Sequence, residues 1–308
     1  AKDIKIKFPL FMPRLSDAKA VTGIGEKLAA TVMSAHHIEW RKGTQKKVRK
    51  ATEILFIDPV THHLLYKDSK EAKNFRKLPY PYPVEAEQLY SDLKIRYEKV
   101  VIPCIEHQLK NGADAIIAPY LFAEDTDDTK FVTNITMLTE SIRYMTEKKI
   151  DLPLFAMIHI GSAVLTRPVI VNFIVKRYKE EFGTSLAGYL ITINDMDDRK
   201  ASREELSGLA RLTFQLSEAH LTFVNIGGFG EVLSAIGGAG FISGLGSGET
   251  SSVKMLHNKP KGFKNRTKEF TYLPEILDYA NDSETKKIGY KCNCTECKGS
   301  TPTSAVAK

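Results

Sequence analysis

Three cysteines near the end of the chain have the spacing of a metal site. Cys292, Cys294 and Cys297 form a Cys-x-Cys-x-x-Cys motif. Thiolates this close together can wrap one Zn²⁺, and a tetrahedral site then needs a fourth ligand. Cys104, a histidine such as His257, or a residue outside this sequence would have to supply it. A thiolate-rich site is closed, so the motif predicts Zn²⁺ in a structural role.

Carboxylates and a histidine at the ends of apolar segments are the candidates for catalysis. Asp58 and Asp195 each follow an apolar run directly, and His159 lies at the end of another. A carboxylate in such a place can act as a nucleophile, a general base or a metal ligand. An inward-pointing histidine can donate a proton or bind an oxyanion. The alternatives are a helix-capping acid and a hydrogen-bonded core histidine.

Two glycine-rich loops follow neighbouring predicted strands, at 227–230 and 244–248. Glycine lets backbone N–H groups approach a ligand closely, which favours a phosphate or a flat base. Tight turns and close helix packing are the alternative explanation. The predicted ligand-binding residues are Asn225, Gly227, Gly228, Gly230, Ser243, Gly244 and Gly246.

Positive charge is concentrated in two runs. Residues 41–50 and 254–268 each contain six basic residues and no acidic one. A single run of this kind is usually solvated surface, whereas two runs favour a track for phosphates. The predicted nucleic-acid contacts are Lys46, Lys47, Lys261 and Lys264.

Apolar runs of strand length alternate with amphipathic helices along most of the chain. Strands are predicted at 4–11, 54–57, 113–119, 154–160, 187–193, 221–226 and 241–245, with an eighth within 31–40 or after residue 270. The runs are apolar throughout, as required of a parallel sheet covered on both faces. Helices are expected over most of 84–111, over 131–149 and 229–236, and from Pro168 and Ser202.

This alternation predicts an α/β fold, specifically a (β/α)8 TIM-like barrel, with an open doubly wound sheet as the second choice. The barrel is expected over residues 1–253. Residues 254–308 would form a basic segment and zinc loop with a disordered end.

Composition excludes several whole-chain classes. The 308 residues are 43% hydrophobic and 26% charged, with a net charge of +7, which is ordinary for a globular protein. No apolar run has the roughly 20 residues of a membrane helix, so no membrane association is expected. Four cysteines and no apolar leader favour a cytoplasmic protein.

A barrel with a late cysteine loop resembles the tRNA-guanine transglycosylases and their relatives that modify bases in DNA. The similarity covers the strands from about residue 221 onward and the Cys-x-Cys-x-x-Cys motif. In that family the last Asp of a Gly-x-Asp-x-Phe-Asp strand is the nucleophile. Residues 238–243 have similar spacing, with Ser243 at the position of that Asp. The family's Ser-Gly-Gly-Phe motif is not evident.

The resemblance implies an enzyme that exchanges a nucleic-acid base through a carboxylate nucleophile. Its partners would be tRNA or DNA and a small free base; a homodimer is left open. Asp195 or Asp58 would replace the missing nucleophile. Two alternatives are a barrel oxidoreductase using flavin or another phosphate cofactor, with His159 as proton donor, and a nucleic-acid-binding barrel without catalysis.

Overall fold

The structure is a computed structural model that describes residues 10–11, 27–40, 42–70, 72–80, 86–218, 220–235, 240–243, 270–273, 278–281, 287 and 289–291. Several predicted site residues lie outside these ranges: Gly244, Gly246, Lys261, Lys264, Cys292, Cys294 and Cys297.

Eight strands form one parallel sheet. They are β1 (Leu10–Phe11), β2 (Leu28–Ser34), β3 (Thr52–Asp58), β4 (Ile116–Ile117), β5 (Leu154–Gly161), β6 (Gly188–Asn194), β7 (Leu221–Asn225) and β8 (Gly240–Ser243). The pairing order is β3-β2-β1-β8-β7-β6-β5-β4. The two strands at the ends of this order also meet, because a parallel bridge joins Phe56 to Ala115 and the Asp114 N–H donates to the Leu55 carbonyl at 2.9 Å.

Helices connect the strands. They are α1 (Ala35–Trp40), α2 (Lys42–Lys50), α3 (Lys67–Lys70), α4 (Ala86–Ser91), α5 (Leu93–Arg96), α6 (Ile102–Lys110), α7 (Thr129–Glu147), α8 (Pro168–Phe182), α9 (Arg203–Ser217) and α10 (Gly228–Ala235). A π turn (Tyr97–Val101) joins α5 to α6, and 3₁₀ turns cover Thr61–Leu65, Phe75–Lys77 and Ser162–Thr166.

Alternate residues of β2 to β7 enter two separate apolar clusters. The strand cluster takes residues from seven of the eight strands, with Phe56, Phe155 and Phe223 among its largest members. The helix-side cluster takes the intervening strand residues, such as Ile158 and Ile191, and packs them against the helices. Both faces of the sheet are therefore covered, which explains why the strands are apolar throughout.

Most predicted elements are present, with shifts of a few residues. Pro168 begins α8, and Ser202 caps α9 through a capping box with Glu205. The eighth strand is β2, which overlaps the first of its two predicted positions. The other candidate, after residue 270, instead forms β9 (Phe270–Leu273), which pairs antiparallel with β10 (Asp278–Asn281) in a separate sheet.

The strand predicted at 113–119 is shorter, since its regular pairing covers only β4 and an isolated bridge at Ala115. At Ile117, the last residue of β4, a side chain takes the place of a strand partner. Gln108 bonds both the N–H and the carbonyl of Ile117, at 2.8 and 2.9 Å.

The chain divides into two units, Ala1–Lys259 and Pro260–Lys308. The eight-stranded sheet belongs to the first unit, and β9 and β10 belong to the second. Across the described ranges, no helix is long and apolar enough to span a bilayer.

A buried ion pair fastens α5 to α7. The Arg96 guanidinium donates to both carboxylate oxygens of Glu140 at 3.1 Å and to the Leu89 carbonyl at 2.9 Å. The two side chains are only 2% and 8% exposed. Removing one partner leaves an uncompensated buried charge, which costs more than the intact pair contributes.

We expect Glu140→Ala to lower the free energy of unfolding by about 3–5 kcal/mol in urea titrations. Replacing both partners, as Arg96→Met with Glu140→Leu, should cost less because no buried charge remains. Glu180→Ala, which breaks the exposed 3.9 Å pair with Lys176, is the control and should change stability by less than about 1 kcal/mol. Equal losses in Glu140→Ala and the double variant would contradict this account.

Candidate active site

The polar candidates lie at the carboxyl end of the sheet, on the face of the strand cluster. Side chains alternate along a strand, so Asp58 shares a face with Phe56, and His159 shares one with Phe155 and Met157. Carboxyl ends of parallel strands meet at one edge of a sheet, where ligands bind. Asp58 and His159 therefore lie at one end and on one face of the sheet.

Asp58 is buried, and its carboxyl group makes some of the hydrogen bonds that it can make. Its Oδ1 atom accepts hydrogen bonds from the Val60 N–H and the Tyr120 hydroxyl, both at 2.9 Å. Burial raises the pKa of Asp58 to about 6, although both hydrogen bonds act in the opposite direction. A carboxyl group with such a pKa can exchange a proton near neutral pH.

His159 is 1% exposed, and neither of its ring nitrogens has a hydrogen-bond partner among the described residues. Three aromatic rings surround it: His62 at 5.0 Å, Phe122 at 5.1 Å and Tyr120 at 5.9 Å between centroids. Burial lowers the pKa of His159 to about 3, so the ring is neutral. A neutral imidazole offers one donor and one acceptor, and both remain unused here.

Four more histidines extend this group: His36, His37, His62 and His63. His62 stacks on Tyr120 with centroids 5.2 Å apart, and His36 lies 5.7 Å from His63. The Nδ1 atoms of His36 and His62 are buried and have no partner in the described part of the chain. No three His, Cys, Asp or Glu side chains in the described segments are arranged to hold a metal ion.

Tyr120 and the His62–His63 pair were not predicted from the sequence. Tyr120 belongs to a loop beyond β4, and the histidines belong to a 3₁₀ turn after β3. The pair of adjacent histidines four residues after Asp58 was the available signal.

Asp195 lies directly after β6, as predicted, but it is exposed. Its backbone is left-handed at φ 57°, and its Oδ2 atom accepts from the Asn194 amide at 3.2 Å. The helix that follows is capped by Ser202, not by the acids at 197 and 198.

In the first glycine-rich loop, the position predicted for a bound anion is taken by the side-chain carboxylate of Asp198. Asp198 accepts a hydrogen bond from the Phe229 N–H at 2.7 Å, in the first turn of α10. A Cβ at Gly227 would lie 2.9 Å from the same carboxylate, so a larger residue there would require the Asp198 side chain to shift. Gly228 and Gly230 begin α10. Asn225 lies at the end of β7 with a buried, unpaired Oδ1 atom.

The first basic run forms α2, and its two faces differ. Val48 is buried, and Arg49 pairs with Asp114, which also binds the Leu55 N–H at 2.7 Å. Lys46 and Lys47 are exposed, as a phosphate contact requires.

Cys104 does not suit the predicted zinc site. It is fully buried in the helix-side cluster beside Gln108, and burial strongly raises the pKa of its thiol. A zinc ligand must be a thiolate, so the fourth ligand has to come from elsewhere.

Searches with protein-family models and among curated proteins found no match to this chain.

The buried histidines make stability depend on pH. Burial lowers the pKa of His36, His62, His63 and His159 below the usual 6.5, to about 4 for His63. Below pH 6.5 the unfolded chain therefore binds protons that the native protein does not. The free energy of unfolding should fall between pH 6.5 and 4.5, by up to about 1.4 kcal/mol per pH unit for each histidine.

Asp58 acts in the opposite direction. With its pKa raised to about 6, the native protein holds a proton that the unfolded chain has lost, so this one group adds stability as the pH falls. Four histidines outweigh one carboxyl, and urea unfolding at pH 5 and 7 measures the sum. A midpoint as high at pH 5 as at pH 7 would contradict neutral buried histidines.

Proposed function

We propose that the chain is a nucleic-acid base-exchanging enzyme of the transglycosylase type, built on a closed (β/α)8 barrel. The order of the eight parallel strands, the contact between β3 and β4 and the strand cluster drawn from seven strands support the barrel. The site would lie at the mouth formed by the carboxyl ends of the strands.

One observation is the main support for the proposed base-exchange activity. Asp58, a proton-exchanging carboxyl, is linked through Tyr120 to a buried group of imidazole and phenyl rings, in which both nitrogens of His159 and the Nδ1 atom of His62 have no partner among the residues that the structure describes. Buried polar atoms without partners are costly, and a ligand can satisfy them. Neutral donors and acceptors between aromatic rings suit a flat heterocycle, which is what a nucleobase is.

The two carboxylates suit different roles because their environments differ. In the proposed reaction, the exposed Asp195 carboxylate attacks the sugar C1′ and forms a C–O bond. The C1′–N bond breaks, and Asp58 protonates the departing base. The incoming base then gives a proton to Asp58 and displaces the Asp195 carboxylate. His159 and His62 hold the base in this scheme.

A structural Zn²⁺ on Cys292, Cys294 and Cys297 is part of the proposal. The chemistry of three closely spaced thiolates fits this ion, which would fold the loop and take no part in the reaction. The phosphate-cofactor alternative is less well supported, because Asp198 occupies the N–H group that a phosphate would need.

We expect the protein to incorporate radiolabelled guanine into a tRNA pool or into duplex DNA. Asp58→Asn and Asp195→Asn should each lower the rate by several orders of magnitude, since the first removes the group that exchanges protons with the bases and the second removes the nucleophile. Asp197→Asn is the control, because Asp197 only pairs with Arg199 and Lys200 and should leave incorporation unchanged.

Folded wild-type protein that incorporates no label into either polymer would overturn the proposal. Full activity in Asp195→Asn would reassign the nucleophile. Binding of tRNA or DNA without exchange would favour the non-catalytic alternative.

Nucleic-acid binding should depend on both basic runs. Neutralising Lys46, Lys47, Lys261 and Lys264 to Gln should flatten the log–log salt dependence of tRNA binding by about 0.7–0.9 for each phosphate that the protein no longer neutralises.

The control for this measurement neutralises four other exposed lysines, Lys94, Lys99, Lys148 and Lys176. If both quadruple variants change the slope equally, the two runs are ordinary solvated surface.

A further inference from the structure

Tyr120 connects the loop after β4 to the carboxyl group at the end of β3. Its side chain is 3% exposed, and its hydroxyl donates to Asp58 Oδ1 at 2.9 Å. The His62 ring stacks on the Tyr120 ring, with an angle of 27° between the two planes. A buried tyrosine in this setting can turn neither away from Asp58 nor toward water.

The backbone of Tyr120 is held as firmly as its side chain. Thr61 Oγ1 donates to the Tyr120 carbonyl at 2.6 Å and accepts from the Tyr120 N–H at 2.7 Å. Asn134 bonds the N–H and the carbonyl of Leu121 at 2.7 and 2.9 Å. The Thr61 and Asn134 side chains thus supply the backbone hydrogen bonds that a neighbouring strand would supply to a residue in a sheet.

Both hydrogen bonds to Asp58 reach the same oxygen. Oδ1 accepts from Tyr120 and from Val60, while no described residue bonds Oδ2. We propose that Tyr120 is a positioning residue, which fixes the Asp58 carboxyl so that Oδ2 is the atom that gives a proton to the departing base and takes one from the incoming base. Tyr120 keeps its own proton throughout. This inference rests on the proposed function.

The other titratable groups facing Asp58 are neutral. Burial raises the pKa of Tyr80 and of Cys104 well above neutral pH, and the same holds for Tyr120 itself. The Tyr80 hydroxyl donates to the Pro59 carbonyl at 2.7 Å and not to Asp58. Among these groups only Tyr120 donates a side-chain hydrogen bond to the carboxylate, so its removal has a defined electrostatic consequence.

The test is a titration of the Asp58 carboxyl by ¹³C NMR in aspartate-labelled protein, with Asp58→Asn identifying the signal. Tyr120→Phe removes a hydrogen bond to the charged form and should raise the pKa of Asp58 above the wild-type value. The limb of the pH–rate profile that Asp58 governs should move to higher pH with it. We expect kcat for base exchange to fall about 10- to 100-fold, with little change in KM for the base.

Tyr189→Phe is the matched control, because it removes a buried hydroxyl that bonds the Tyr178 carbonyl away from the site. It should leave the pKa and kcat unchanged. Thr61→Val, which frees the Tyr120 backbone, should shift the pKa in the same direction as Tyr120→Phe, and Thr61→Ser should restore it. This second pair tests the inference even if Tyr120→Phe fails to fold.

The two proposals fail in different ways. Wild-type protein without base exchange overturns the proposed function. An unchanged Asp58 pKa in folded Tyr120→Phe, or in folded Thr61→Val should Tyr120→Phe not fold, overturns the positioning role of Tyr120.

Discussion

The cost of burying polar groups without partners shapes the carboxyl end of the sheet. Along most of β2 to β7, alternate side chains are apolar and fill the strand cluster or the helix-side cluster. At the last residues of several strands the side chains become polar, yet their polar atoms stay buried. Asp58, His159 and Asn225 are of this kind, and the latter two keep unpaired polar atoms. A fold tolerates such groups where a ligand satisfies them.

The protonation states of these groups limit which ligands the proposed site could bind. Burial keeps His62 and His159 neutral, so these two side chains offer no positive charge to an anionic ligand. Burial raises the pKa of Asp58 to about 6, so its carboxyl group can exchange a proton near neutral pH. The Asp198 carboxylate accepts a hydrogen bond from the first turn of α10, so this helix N-terminus is already occupied and is not open to a phosphate. A neutral, flat ligand that exchanges protons satisfies these limits better than a phosphate does.

Much of the fold could be predicted from the sequence, because long apolar runs and helix signals are local. The bounds of β5 and α7, the start of α8 and the cap of α9 all followed from such patterns. Asp58 and His159 were identified because strand ends share one edge in a parallel sheet. Tyr120 was not identified, since its position depends on Thr61 and Asn134 from distant segments.

The anion site predicted at the first glycine-rich loop shows a different limit of prediction from the sequence. Glycines predicted close approach correctly at Gly227, but the group that approaches is a carboxylate from another loop. A local sequence motif can indicate that a group approaches the backbone closely, but it does not indicate which group does so. Asp195 similarly lies where its strand predicts, but the sequence did not indicate that its backbone is left-handed or that its side chain is exposed.

Histidine ring signals give the most direct test of a base-binding site at this edge of the sheet. In ¹⁵N-resolved NMR spectra of the full chain titrated with free guanine, the imidazole signals of His62 and His159 should shift and saturate together. The signals of His107, which bonds Glu39, and of His220, which lies at the opposite end of β7, should not move. Saturable binding that leaves His62 and His159 unchanged, or no binding at all, would contradict the account.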